Sequence, residues 1–223
     1  MIPWLQGDAP FPPVSKALKE PNGLLCAGGD LSPERIVDAY SHGIFPWFSD
    51  GDPILWWSPD PRMVLFPDEL KVSRSLRKRV QHFETRFDTS FRTVMERCAE
   101  PRYEEGGTWI VPEMIDAYTE LHRRGLAHSV ESWQDGELVG GLYGMALGKV
   151  FFGESMFTRV PDASKVALFR LVERLKAEGF NVIDCQQATD HLASLGAREI
   201  PRRAFAQLVQ DSIQYPPSGE RWA

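Results

Sequence analysis

Cysteine is scarce in this chain. The 223 residues include only Cys26, Cys98 and Cys185, an odd number without a C-x-x-C pair. This spacing argues against both a disulfide framework and a structural zinc site. The histidines show no metal spacing on a shared face; they are His42, His82, His122, His128 and His191. We therefore expect no bound metal.

Long hydrophobic runs are also absent. No segment reaches the roughly 20 apolar residues that are needed to span a bilayer. The first residues, MIPWLQGDAPFPP, contain no basic region followed by an apolar stretch, as a targeting signal would. The sequence predicts an untargeted cytoplasmic protein without a membrane partner.

Positive charge is in deficit, with a net charge of -6 at pH 7. The chain therefore has no general attraction for nucleic acid, and any such partner must be held by a local patch. One candidate patch exists, because Arg74, Arg77 and Lys78 share a predicted helix face and Arg79 lies beside them. These cations are able to meet several phosphates. The alternative is that they form an ordinary solvated helix face.

Two common catalytic motifs are missing. The segment GMALGKV, ending at Val150, is one residue short of a phosphate-binding loop and lacks its Ser or Thr. A Gly-x-Ser-x-Gly elbow is also absent. The sequence thus supports neither nucleotide binding at this segment nor a serine-triad mechanism.

The length and the 43% hydrophobic content allow a substantial core. The first sixty residues are rich in Gly, Pro and Trp, and Pro59 and Pro61 mark a boundary. We therefore predict a small N-terminal domain over 1–61 and a larger domain over 62–223. In the larger part strands and helices alternate, and a strand, an amphipathic helix and another strand predict a parallel crossover. The fold class is α/β or α+β.

The segment FNVIDCQ, residues 180–186, gives the strongest indication of chemistry. Strand alternation predicts that Asp184 and Gln186 project to one face, with Cys185 buried and inert on the other. An acid and an amide at the end of a buried strand are costly to maintain for packing alone. Glu154 on the preceding strand adds a second acid, which by itself would be a salt-bridged core residue. Their convergence favours a site.

Tryptophans form a further group of candidate functional residues, at Trp47, Trp56, Trp57 and Trp109. Tryptophan in Gly/Pro-rich segments often forms a lid or a pocket wall. Core filling is the alternative for some of them. Unaided, these residues leave the reaction type open.

Several segments together resemble the bacterial leucyl/phenylalanyl-tRNA-protein transferase family, in order over nearly the whole chain. They are PNGLLCAGGDLSPERI, YSHGIFPWFSDGDPILWWSPDPR, EEGGTWI, AHSVE, LVGGLYG, FFGESMF, ASKVAL, IDCQ and DHLASLGAREIPR. The resemblance implies a small N-terminal domain followed by a GNAT-type acyltransferase domain with a mixed sheet. It implies transfer of Leu or Phe, less well Met, from tRNA to proteins that begin with Arg or Lys, which marks those proteins for degradation.

The resemblance also assigns residues. The catalytic group would be Asp184, Gln186 and Glu154, with Glu154 recognising the cationic acceptor. The tRNA acceptor end would bind Arg74, Arg77, Lys78 and Arg79. The pocket for the donor side chain would be built from Trp47, Trp109, Tyr118, Leu142, Phe151, Met156, Leu171 and Ile183.

The implied chemistry needs no cofactor, because the aminoacyl ester is already activated. In acetyltransferases of this fold a glycine-rich turn holds coenzyme A, whereas RVPDAS, residues 159–164, contains no glycine. An α-amine has a pKa of about 7.7 to 8.0, so little base strength is required. Asp184 would then orient Gln186, whose amide oxygen accepts a hydrogen bond from the amine.

Three sites depart from the family pattern, the first being Leu142, which replaces a Met of similar volume. Leu171 replaces a bulkier aromatic and enlarges the pocket, and Thr189 replaces an Asn and receives no role. Helix capping is the simpler interpretation of Asp190 and His191. Two alternatives stay open: a small-molecule N-acyltransferase of the same fold, and a non-catalytic tRNA-binding module.

Overall fold

Two β-sheets organise the chain in the computed structural model, which describes residues 2–104, 108–214 and 222. Residues 105–107 of the EEGGTWI segment lie outside this description. The smaller sheet has the order β1-β2-β4-β3 and is built from β1 Trp4–Leu5, β2 Leu24–Gly28, β3 Phe45–Pro46 and β4 Leu55–Trp57. The larger sheet has the order β11-β5-β10-β9-β8-β7-β6, with β5 Arg62–Leu65, β6 Glu84–Phe87, β7 Ala127–Gln134, β8 Glu137–Leu147, β9 Val150–Thr158, β10 Val182–Gln186 and β11 Arg198–Ile200.

Helices cover these sheets and connect their strands. They are α1 Pro33–Ser41, α2 Arg74–Arg79, α3 Phe91–Glu104, α4 Pro112–Arg123, α5 Ala163–Ala177, α6 Asp190–Ser194 and α7 Arg202–Ser212, with short 3-10 helices at Val14–Lys16, Pro67–Glu69 and Val80–His82. Ser32 caps α1 by accepting from the Arg35 amide, and Ser73 caps α2 by accepting from the Leu76 amide. Serine is among the residue types that most favour the cap position at a helix start.

The larger sheet is mixed, as predicted. Strand β10 pairs in parallel with β9, to which α5 connects it, and antiparallel with β5 on its other side. The β7–β8 hairpin turns at Asp135 and Gly136, whose φ angles of 52° and 81° suit a tight primed turn. The predicted class, a mixed α and β fold with a small N-terminal unit, is confirmed.

One buried cluster joins the two sheets. It contains Tyr40 and Trp56 from the N-terminal part together with Phe152 and Phe205 from the remainder. The predicted boundary at 61/62 falls between β4 and β5, and across it the two parts share a core. The N-terminal unit therefore covers the larger sheet and does not pack separately.

None of the helices that the structure describes is long and apolar enough to cross a bilayer.

Candidate active site

A cavity of about 340 Å³ lies where β9 and β10 part. The two parallel strands pair from Val182 with Val150 up to Asp184 with Phe152, and beyond that point no pairing continues. The side chains that follow this point, Glu154 on β9 and Gln186 on β10, line the cavity. All three predicted catalytic residues are thus brought together at the end of the parallel pair.

Asp184 is held by a buried arginine that the sequence did not indicate. Arg62, at the start of β5, donates from Nε to Asp184 Oδ1 over 2.8 Å and from a terminal nitrogen to Oδ2 over 2.7 Å. Both side chains are fully buried. The guanidinium also lies 4.8 Å from the Phe45 ring centre and 4.6 Å from that of Phe205. Asp184 is therefore a paired carboxylate that fixes geometry.

Gln186 departs from strand alternation. Its φ is 61°, and the β10–β5 register shifts between Asp184 and Gln186. The Gln186 main-chain N–H donates to Asp184 Oδ1 over 2.9 Å, while its side-chain Nε2 donates to Glu154 Oε1 over 3.1 Å. The two side chains thus meet different partners, and the expectation of a simple shared face is corrected. Asp184 accepts a hydrogen bond from the main-chain N–H of Gln186 and none from its side-chain amide.

Glu154 lies at the centre of a buried hydrogen-bond chain. The Tyr40 hydroxyl donates to Glu154 Oε1 over 2.6 Å and is 2.5 Å from the Tyr118 hydroxyl. Burial raises the pKa of Glu154 to about 7, and the hydrogen bonds from Tyr40 and Gln186 lower it in part. Glu154 Oε2 is buried and has no hydrogen-bond partner among the described residues. Near neutral pH this carboxyl is able to take up or release a proton.

The predicted aminoacyl pocket corresponds closely to the cavity lining. Seven of its eight residues line it, namely Trp47, Trp109, Leu142, Phe151, Met156, Leu171 and Ile183. The eighth, Tyr118, lies behind Glu154 as a partner of Tyr40. The sequence reasoning missed several further lining residues, among them Phe45, Tyr143, Ser155, Leu168, Gln187 and His191.

The rim of the cavity corrects three smaller expectations. Thr189, which received no role from the sequence, caps α6 by accepting from the Leu192 amide over 3.2 Å, and it also lines the cavity. Asp190 is the first helical residue and not the cap. Cys185 is half-buried and lines the cavity, and burial raises the pKa of its thiol.

The basic helix α2 lies outside this lining. Arg74, Arg77 and Lys78 are exposed. Arg79 is half-buried, pairing with Asp162 over 3.2 Å and donating to the Pro161 carbonyl over 3.1 Å. Arg79 therefore fastens α2 to the turn before α5, which leaves three of the four predicted cations available to a ligand. Within the described ranges no cluster of His, Cys, Asp or Glu is suited to a metal ion.

Comparison with known proteins identifies the family of this chain. The model of the leucyl/phenylalanyl-tRNA protein transferase family matches residues 64–210, and the model of its N-terminal domain matches 29–60. A leucyl/phenylalanyl-tRNA–protein transferase of Nitrosospira multiformis is 63% identical, covering 100% of this chain and 97% of that protein. One from Pseudomonas aeruginosa is 60% identical, covering 99% of each. The chain is thus an aminoacyltransferase. It belongs to the leucyl/phenylalanyl-tRNA–protein transferase family.

Solved structures are more distant. A GCN5-related N-acetyltransferase from Kribbella flavida has 13% identity and a TM-score of 0.40, covering 73% of this chain and 59% of that chain. L-PGS from Bacillus licheniformis has 13% identity and a TM-score of 0.44, covering 85% and 73%. At scores below 0.5 neither similarity supports a conclusion about this chain.

Proposed function

We propose that the chain transfers Leu or Phe, and Met less well, from aminoacyl-tRNA to the α-amino group of proteins that begin with Arg or Lys. The new peptide bond marks the acceptor for degradation, and the reaction runs in the cytoplasm without a cofactor. The observation that carries this proposal is an apolar cavity of about 340 Å³ that ends at Glu154 and Gln186. Its walls suit an unbranched-at-Cβ apolar side chain, and its polar end suits an amine.

The polar end offers an acceptor for that amine. Glu154 Oε2 carries no hydrogen bond from any residue that the structure describes, and the Gln186 amide lies beside it in the cavity lining. Since an α-amine has a pKa of about 7.7 to 8.0, a carboxyl with a pKa of about 7 is well matched to attract it and take its proton. Glu154 thereby recognises the cationic N-terminus, and Gln186 orients its nitrogen.

The reaction then needs little more than positioning. The amine nitrogen attacks the ester carbonyl carbon, the bond to the tRNA ribose oxygen breaks, and the proton lost from nitrogen balances the one gained by that oxygen. Asp184 supports this step indirectly, because it holds the Gln186 main chain while Arg62 occupies both of its oxygens.

The donor tRNA has its own surface in this proposal. Arg74, Arg77 and Lys78 are exposed on α2 and would contact phosphates near the acceptor end. Arg79 contributes by holding α2 against the residues before α5.

One experiment tests the proposal directly. Leu-tRNA or Phe-tRNA is offered with a peptide that begins with Arg and with a matched peptide that begins with Ala. We expect product only with the first peptide, and strong loss in Asp184→Ala and Gln186→Ala variants that remain folded. Equal transfer to both peptides, or to neither, contradicts the proposal. Thermal stabilisation by acetyl-CoA would favour a small-molecule acyltransferase, and tight tRNA binding without product would favour a binding module.

A further inference from the structure

Behind the apolar wall of the cavity lies a second aromatic layer around Trp222. This residue is 2% exposed and belongs to the same buried cluster as the lining residues Leu142, Phe151 and Leu171. Its ring stacks on that of Phe151, with centroids 5.7 Å apart and an interplanar angle of 24°. Trp222 does not itself line the cavity, so its influence on a bound side chain is indirect, and Phe151 is the lining residue on which its ring stacks.

Other side chains fix the Trp222 ring. His128 stacks on it with centroids 4.1 Å apart and planes 7° from parallel. The Arg174 guanidinium lies 4.9 Å from the ring centre, and Phe87 meets the ring edge-on at 6.2 Å. A ring packed against His128, Arg174 and Phe87 has no room to retreat, because buried side chains interlock at close to crystal density.

The main chain of Trp222 is clamped as well. Its N–H donates to Asp88 Oδ2 over 2.7 Å, and His128 Nδ1 lies 2.8 Å from the same oxygen. Asp88 Oδ1 accepts from the Ser129 main-chain N–H over 2.9 Å. Asp88 has a φ of 56°, in a region that non-glycine residues occupy only where the surroundings hold them there. One carboxylate thus fastens Trp222 to the start of β7.

We propose that Trp222 is a positioning residue that sets the size of the pocket for the donor side chain by holding Phe151 in place. The inference rests on the proposed function, in which this cavity receives the Leu or Phe side chain. Without the indole, the Phe151 ring gains freedom to move away from the cavity. The kcat/KM for donors with larger side chains then rises relative to that for donors with smaller ones. A difference of one methylene in an apolar pocket corresponds to roughly 10–200-fold in discrimination between two substrates.

The test compares two donors in one variant. For Trp222→Ala we expect the ratio of kcat/KM for Phe-tRNA to that for Leu-tRNA to change by at least about fivefold in favour of Phe. Trp222→Phe keeps a flat ring against Phe151 and should stay within about twofold of the wild-type ratio. The ratio is informative because a smaller folded fraction lowers both rates equally.

A matched control removes a different buried tryptophan. Trp56, on β4 of the smaller sheet, packs against Phe11 and does not line the cavity. Trp56→Ala should therefore leave the ratio of kcat/KM for the two donors unchanged. If Trp222→Ala fails to fold, Trp222→Leu carries the test, since it keeps apolar volume while removing the flat ring.

The outcomes separate this inference from the proposed function. A wild-type ratio in folded Trp222→Ala or Trp222→Leu, with active wild-type enzyme, overturns the role of Trp222 alone. An equal shift in Trp56→Ala overturns it too. No transfer of either residue by the wild-type chain refutes the proposed function, and this inference with it.

Discussion

At the scale of single residues, the Arg62–Asp184 pair shows how a buried charge serves geometry. Both side chains are fully buried, and each satisfies the other through two hydrogen bonds. Such a pair adds little net stability over apolar residues of similar volume, but removing one partner leaves the other charge buried and unpaired. The pair is therefore best explained by the position that it gives to Gln186.

This explanation predicts a non-additive pair of substitutions. Arg62→Met or Asp184→Leu alone should lower the free energy of unfolding by about 3–5 kcal/mol, because an unpaired buried charge remains. The double variant should lose much less than the sum and still fail in aminoacyl transfer. Urea denaturation measures the first part and a transfer assay the second. Additive losses in the double variant would contradict the coupling.

Glu154 predicts a pH dependence with a definite sign. Its pKa is about 7 in the folded chain because burial disfavours the carboxylate, whereas an unfolded Glu titrates near the ordinary value of 4.5. Between these values the folded chain binds more protons, so the contribution of Glu154 to stability is complete below pH 4.5 and is lost as pH rises through 7. The loss should be about 3 kcal/mol.

Comparison with Glu154→Gln isolates this effect, since all other groups titrate alike in both chains. Urea denaturation from pH 4 to pH 8 should show the wild-type stability falling relative to the variant and levelling off above pH 7. If the free energies of unfolding of the two chains ran parallel across this pH range, the Glu154 carboxyl would not be held in its neutral form.

At the scale of elements, helix α2 has an exposed cationic face and one residue that attaches it to the rest of the protein. Arg74, Arg77 and Lys78 are exposed, while Arg79 pairs with Asp162. Replacing the three exposed cations with Ala should raise KM for the aminoacyl-tRNA. It should also reduce the log–log slope of affinity against salt by about 0.7–0.9 for each phosphate that the variant no longer neutralises. The measurement is tRNA affinity across a salt series.

The control for α2 replaces three other exposed cations, Lys16, Lys19 and Arg123, with Ala. It removes the same charge from elsewhere and should leave the salt slope nearly unchanged. An equal change in both triple variants would show that only net charge matters.

The elements also show where sequence reasoning succeeds. The β9–α5–β10 crossover follows from the alternation of strand and helix patterns, which are local. The strands of the smaller sheet do not, because they are two to five residues long and lie among Gly and Pro. Their extended form depends on pairing with each other and on packing against the larger sheet, and neither has a local signal.

The site divides in the same way. Glu154, Asp184 and Gln186 are visible because polar residues interrupt apolar strands. Arg62 and Tyr40 carry no such signal: they precede their partners by 122 and 114 residues, and only the assembled fold brings them together. The left-handed turn at Gln186 is equally hidden, since nothing in VIDCQ departs from an ordinary strand.

At the scale of the whole molecule, the shared core predicts a single unfolding unit. Tyr40 from α1 contacts Glu154 and Phe152, and the Arg62 side chain donates to the Gly43 carbonyl. We expect residues 62–223 alone to lack stable folded structure and transfer activity. In the full chain, fluorescence and circular dichroism should report coincident urea transitions. A stable, cooperatively folded 62–223 fragment would contradict this expectation.

The long sequence separations between site partners also determine the order in which their contacts can form during synthesis. Tyr40 leaves the ribosome before Glu154 has been made, and the Arg62 guanidinium meets one of its flanking rings only when Phe205 appears. Contacts this distant form slowly, because closing long loops costs entropy before any contact offsets it. The active centre is thus a late product of folding, and a growing chain carries its aromatic N-terminal residues without their partners until nearly all of it is complete.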